Sequence, residues 1–148
     1  MRKNEFVMRG QTVSGTTEKL SFSGHKMGYG YRLVEFQIYP ALNIGGQTFE
    51  GTATITAAKT AEDAINPNFT NEGLIATAFL TKGTSVNTPT SPVSIVNDTF
   101  IITQDLIIKV NETEADAPVN WQCKFMPVKL SGSEEAVTNY KQFMISDG

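Results

Sequence analysis

The sequence predicts an all-β protein, an antiparallel β-sandwich, on three observations. Apolar residues recur at every second position in run after run. Gly, Asn, Asp and Pro punctuate those runs, and threonine is abundant while long stretches of helix formers are missing. At 148 residues the expectation is one domain spanning 1–148. A chain of that size buries about 68–70% of its unfolded surface, so a core can form without covalent staples.

The clearest strand is Tyr31 to Tyr39, with Val34, Phe36 and Ile38 on one face and Glu35, Gln37 and Tyr39 on the other; Pro40 ends it by removing a donor. Ile44-Gly45-Gly46-Gln47 suits a tight turn. Thr48 to Ala57 follows, where Phe49, Ala53 and Ile55 alternate with Glu50, Thr52, Thr54 and Thr56 in a half-buried pattern. Leu74 to Thr81 reads as a strand buried on much of both faces, closed by Lys82-Gly83. Val93–Val96 and Thr99–Thr103 flank Asn97-Asp98 as a hairpin, and Leu106–Val110 is a short β-branched run. Val119 to Phe125 alternates strongly. Trp121, Cys123 and Phe125 are expected in the core, with Asn120, Gln122 and Lys124 facing solvent or a neighbour, and Pro127 ending or bulging the strand.

Weaker strands are expected near Phe6–Val13 and Lys19–Ser23. One or two helical turns fit Ala57–Ile65, and a short C-terminal helix fits Glu134–Phe143, where Ser131 and Glu134 form a capping box. Residues 66–73 and 87–92 read as loops at the ends of the sandwich, and residues 1–10 as an N-terminal arm. The Cys…Trp…Cys pattern of immunoglobulin domains is missing, which favours a jelly roll, although sequence does not separate the two topologies.

Composition narrows the function. With 12 basic and 15 acidic side chains the net charge is −3, and no basic excess exists to neutralise phosphates; nucleic acid is not an expected partner. A mean hydropathy of −0.17 and the shortness of every apolar run argue against a membrane span. Met1-Arg2-Lys3 is followed by Asn4 and Glu5 rather than an apolar run, so a secretory signal is not expected. The lone Cys123 excludes an intrachain disulfide, and the lone His25 excludes the common zinc-hydrolase ligand sets.

Several segments were weighed for chemistry. Gly24 to Gly30 is glycine-rich and holds His25, but its spacing is not that of a phosphate loop and a strand follows it. Cys123 lies on an apolar strand face, which suits an inert core thiol. Asn111, Glu112, Glu114 and Asp116 could offer oxygens to calcium, yet lack the glycine and distal glutamate of an EF-hand and read better as a solvated acidic loop. Glu134 and Glu135 suit a first helical turn. The Asn-x-Thr triplets at Asn68, Asn97 and Asn111 are expected by chance in so Thr-rich a chain. Tyr29, Tyr31 and Tyr39 near Phe36 could form a stacking platform for a sugar. No catalytic, cofactor-binding or metal-binding residue is nominated, and no enzyme activity is expected.

A resemblance carries the functional expectation. The runs Ile102-Thr103-Gln104-Asp105-Leu106-Ile107-Ile108-Lys109-Val110-Asn111, Val119 to Leu130 and Glu135 to Phe143 look similar to small virion proteins of marine tailed bacteriophages. The opening Met1-Arg2-Lys3-Asn4 and Gly28-Tyr29-Gly30-Tyr31 extend the likeness. The resemblance implies a capsid auxiliary protein, a decoration or cement protein with a compact β-fold that binds the capsid surface and stabilises it. Its implied partner is the major capsid protein, its implied location the virion, assembled in host cytoplasm, and its implied state a homo-oligomer, a trimer at three-fold positions. It transfers no catalytic residue and no cofactor. The rival expectation is a carbohydrate-binding module of a phage tail or host-recognition protein, resting on the tyrosine cluster and the sandwich fold.

Overall fold

The computed structural model describes residues 5–22, 28–41, 48–57, 60–83, 91–114, 116–130 and 138. Eight strands run in chain order: β1 (Phe6–Thr12), β2 (Thr17–Leu20), β3 (Tyr29–Pro40), β4 (Phe49–Thr56), β5 (Leu74–Lys82), β6 (Ser91–Val96), β7 (Leu106–Glu112) and β8 (Val119–Lys129). They form two antiparallel sheets, β1-β8-β3 and β2-β7-β4-β5-β6, packed face to face as a β-sandwich. The pairing is nested, first strand with last, second with seventh, fourth with fifth, as in a rolled-up jelly roll. One strand departs from that nesting. β6 bonds to β5 rather than β3, yet Ser94 Oγ still donates to the Phe36 carbonyl of β3 across the gap between the sheets.

β8 is the centre of the smaller sheet, and its alternation decides the core. Val119, Trp121, Cys123 and Phe125 are all buried, as their spacing predicts. β1 places Phe6, Met8, Gly10 and Thr12 directly opposite them, and β3 places Leu33, Phe36 and Ile38. At one end, Phe6 stacks on Phe125 at 5.4 Å, while Phe22 meets Phe125 edge-on at 5.1 Å and Tyr31 closes the cluster. At the other end Trp121 donates its indole N–H to Thr12 Oγ1 at 2.8 Å. Gly10 makes room for that indole, because a Cβ there would lie 2.7 Å from the ring. Ala53, Ile55, Ala76, Ala78, Leu80, Leu106, Ile108 and Val110 supply the facing layer.

Several expectations are corrected. A register shift between Leu33 and Glu35 means that Leu33, not Val34, joins Phe36 in the core. Residues 6–10 are not an arm: β1 is fully paired with β8 from Phe6 onward. Thr54 and Thr56 are buried rather than solvated. Residues 60–64 fold over them, Thr54 Oγ1 donating to the Glu62 carbonyl and Thr56 Oγ1 accepting the Glu62 N–H. Residues 60–65 run as irregular chain with bends at 60, 64 and 65 rather than as helical turns.

Thr99–Thr103 is not a hairpin strand; Ile102 alone bridges to Tyr31. Ser91 and Pro92 belong to β6, not to a loop. On β5, Phe79 is exposed, so burial there is less two-sided than the sequence predicts.

Pro127 neither ends nor bulges β8, which continues to Lys129. Tyr31, opposite Pro127, turns its N–H and C=O toward Ile102, so Pro127's nitrogen faces the side where the paired part of β1 has already stopped. No ladder bond to β3 is lost there. The turn at 44–47, His25 and, apart from Thr138, the helix at Glu134–Phe143 lie outside the described residues.

Candidate binding surfaces

Two surfaces stand out, one polar and one apolar. The polar one is the outer face of the three-stranded sheet. Strand registers align its side chains in three rows: Val7, Lys124 and Glu35; Arg9, Gln122 and Gln37; Gln11, Asn120 and Tyr39. Partners in a row stand about 5 Å apart across the strands, and successive rows about 7 Å apart along them. Arg9 donates through Nε to Gln122 Oε1 at 3.0 Å, and its terminal nitrogen bonds the same oxygen. Gln11 Nε2 donates to Asn120 Oδ1 at 2.9 Å, and Asn120 Nδ2 to the Pro40 carbonyl at 3.4 Å. Lys124 pairs with Glu35 at 3.4 Å, at the far row. Arg9, Gln11, Gln37, Tyr39, Asn120 and Gln122 line a groove of about 630 Å³ on this face. Ligand sites typically occupy about 300–1,000 Å³.

The tyrosines do not form the expected platform. Tyr39 is 57% exposed on the outer face, whereas Tyr31 packs on Phe6 and Phe22 at the sandwich end and Phe36 is in the core. Tyr39 is joined instead by amides from three strands. Sequence reasoning assigned Asn120, Gln122, Gln37 and Tyr39 to polar faces correctly, but only the strand registers bring them together.

The apolar surface lies at the edge of the five-stranded sheet. Phe79 pairs with Val93, and Ile95 follows on the same face of β6; all three are exposed. Phe69, 59% exposed, shares with Ile95 a cavity of about 240 Å³. Among the described residues β6 has no sheet neighbour on its far side.

In the acidic segment from Asn111 to Asp116, one carboxylate is structural. Glu112 is buried, and its carboxylate accepts the N–H groups of Glu50 (2.9 Å), Glu114 (2.9 Å) and Ala117 (3.1 Å). Those bonds organise the β7–β8 turn, in which Asp116 adopts φ 52°. Among the described residues no group of three His, Cys, Asp or Glu side chains is placed to hold a metal. The Asn-x-Thr triplets at Asn68 and Asn97 are turn chemistry: each Asn Oδ1 accepts both the N–H and the hydroxyl of the Thr two residues on. Cys123 is buried, and burial pushes its thiol up from the usual 9.0 to about 12. No described helix is long and apolar enough to cross a membrane. No protein-family model, curated protein or solved structure matches the chain.

Proposed function

We propose that this chain is a structural protein of a bacteriophage particle, a decoration or cement protein that binds the capsid surface as a homo-oligomer, with a trimer at three-fold positions as the leading arrangement. The observation that carries the reading is the apolar strip of Phe79, Val93, Ile95 and Phe69 along the β6 edge. Contiguous exposed apolar side chains on a sheet edge are an association surface, and an isolated monomer gains nothing from them. The strip would meet a sister copy, and repetition around the particle would turn modest contacts into firm attachment. The sequence-based expectation of a likeness to phage virion proteins, carried by residues 102–111, 119–130 and 135–143, points the same way.

Light scattering of the purified protein tests the association. Wild type should run as an oligomer, and Val93→Glu combined with Ile95→Glu should be monomeric while keeping the wild-type far-UV circular dichroism spectrum, its melting temperature no longer rising with protein concentration. Both proteins are then sedimented with shells of the major capsid protein. A wild-type monomer that stays in the supernatant would overturn the proposal.

A further inference from the structure

We propose that the outer face of the β1-β8-β3 sheet is a binding site for a neutral oligosaccharide, independent of the apolar strip on the other sheet. The argument begins with what the groove offers. Four amides, Gln11, Gln37, Asn120 and Gln122, each carry a planar group with donors at one atom and an acceptor at the other. A sugar ring displays hydroxyls that both donate and accept around its rim, so a lattice of amides complements it without any charge.

Tyr39 adds the second element. Its exposed ring stands in the same row as Gln11 and Asn120, offering an apolar surface to the C–H face of a pyranose beside groups that bond its hydroxyls. The groove's volume of about 630 Å³ has the size of a small-ligand site.

Charge selects the class of ligand. Arg9, the one cation among the described residues that line the groove, is held by Gln122, and Lys124 is paired with Glu35 in the far row. Among the described residues nothing on this face clusters positive charge for phosphates or sulfates, and the chain's net charge of −3 opposes polyanions. An apolar peptide would find Tyr39 and little else, and would desolvate the amide donor and acceptor positions that the Arg9–Gln122 and Gln11–Asn120 bonds leave open. A neutral polyhydroxyl ligand satisfies both kinds of group. Among the described residues no strand continues the sheet beyond β1 or β3 beside these rows, so an internal stretch of a longer glycan can lie across the strands.

The test is an array of neutral, sialylated and sulfated oligosaccharides, with hits followed by ¹⁵N–¹H spectra of the intact chain. A neutral glycan should shift the side-chain amide signals of Gln11, Gln37, Asn120 and Gln122 before others. Tyr39→Ala and Gln37→Ala, both at exposed positions, should each weaken binding about tenfold, which is about 1.4 kcal/mol, with unchanged melting temperatures. Phe79→Ser, on the other sheet, should leave binding intact. Three results would overturn the proposal: no shift at about 10 mM glycan, where even a Kd near 1 mM saturates; binding confined to sulfated or sialylated sugars; or undiminished affinity in both groove variants. Loss of oligomerisation in the strip variants bears on the capsid reading and leaves this one standing.

Discussion

Trp121 is the side chain whose removal the structure predicts to matter most, and Gly10 allows the reason to be tested. Trp121 is 5% exposed. A buried aromatic removes on the order of 200 Å² from water, which at about 25 cal/mol per Å² is roughly 5 kcal/mol as an upper figure. Trp121→Ala should therefore cost about 3–5 kcal/mol once the residual cavity is included. That is a large part of the ~5–15 kcal/mol that stabilises a typical domain. Thr12→Val keeps the shape but strands the indole N–H, and should cost about 1–3 kcal/mol.

Gly10→Ala drives a methyl to 2.7 Å from the indole and should cost about 1–3 kcal/mol by overpacking. In the Trp121→Ala background that clash has no partner, so Gly10→Ala should become neutral or stabilising there. Urea titrations followed by circular dichroism give all the midpoints, with the double mutant measuring the coupling. Additive costs for Gly10→Ala and Trp121→Ala, or a midpoint unaffected by Trp121→Ala, would refute the β1–β8 register.

The remaining predictions concern the turn, the thiol and the surface. Glu112→Ala removes the acceptor of three backbone N–H groups and should cost about 2–4 kcal/mol, with Glu112→Gln milder because one oxygen remains; thermal melts of both variants check the order. Cys123 should label slowly with a thiol reagent in native protein and fast in denaturant. Its thiol keeps its proton in the folded state when the unfolded chain has lost it, so stability should fall as pH rises from 9.0 toward about 12. Denaturation midpoints across that range should lose part of this slope in Cys123→Ala. Lys124→Ala should change stability by about 1 kcal/mol or less, since its partner Glu35 is largely exposed.

How much of this was legible depended on whether one strand's own pattern decided the outcome. β8 declares its two faces by alternation alone, and Trp121, Cys123 and Phe125 are where that pattern puts them. β3 did not, because the extra residue at Val34 shifts the face of everything before it, and a bulge leaves no mark in a run of apolar residues. Thr54 and Thr56 look solvated until residues 60–64 cover them, which is a tertiary event. Pro127 was misread because the harm a proline does depends on which neighbour its missing N–H would have faced. The polar groove draws on Arg9, Gln37 and Gln122, residues from three strands far apart in the chain. Each is an ordinary outward-facing residue by itself, and only the registers of β1 and β3 on β8 make them a surface.

The proposed role, a many-copy component of a phage particle, is tested most directly by quantitative mass spectrometry of purified virions. The account predicts the intact chain at a copy number comparable to that of the major capsid protein or a simple fraction of it. Absence from the particle, or a handful of copies confined to the tail, would contradict it.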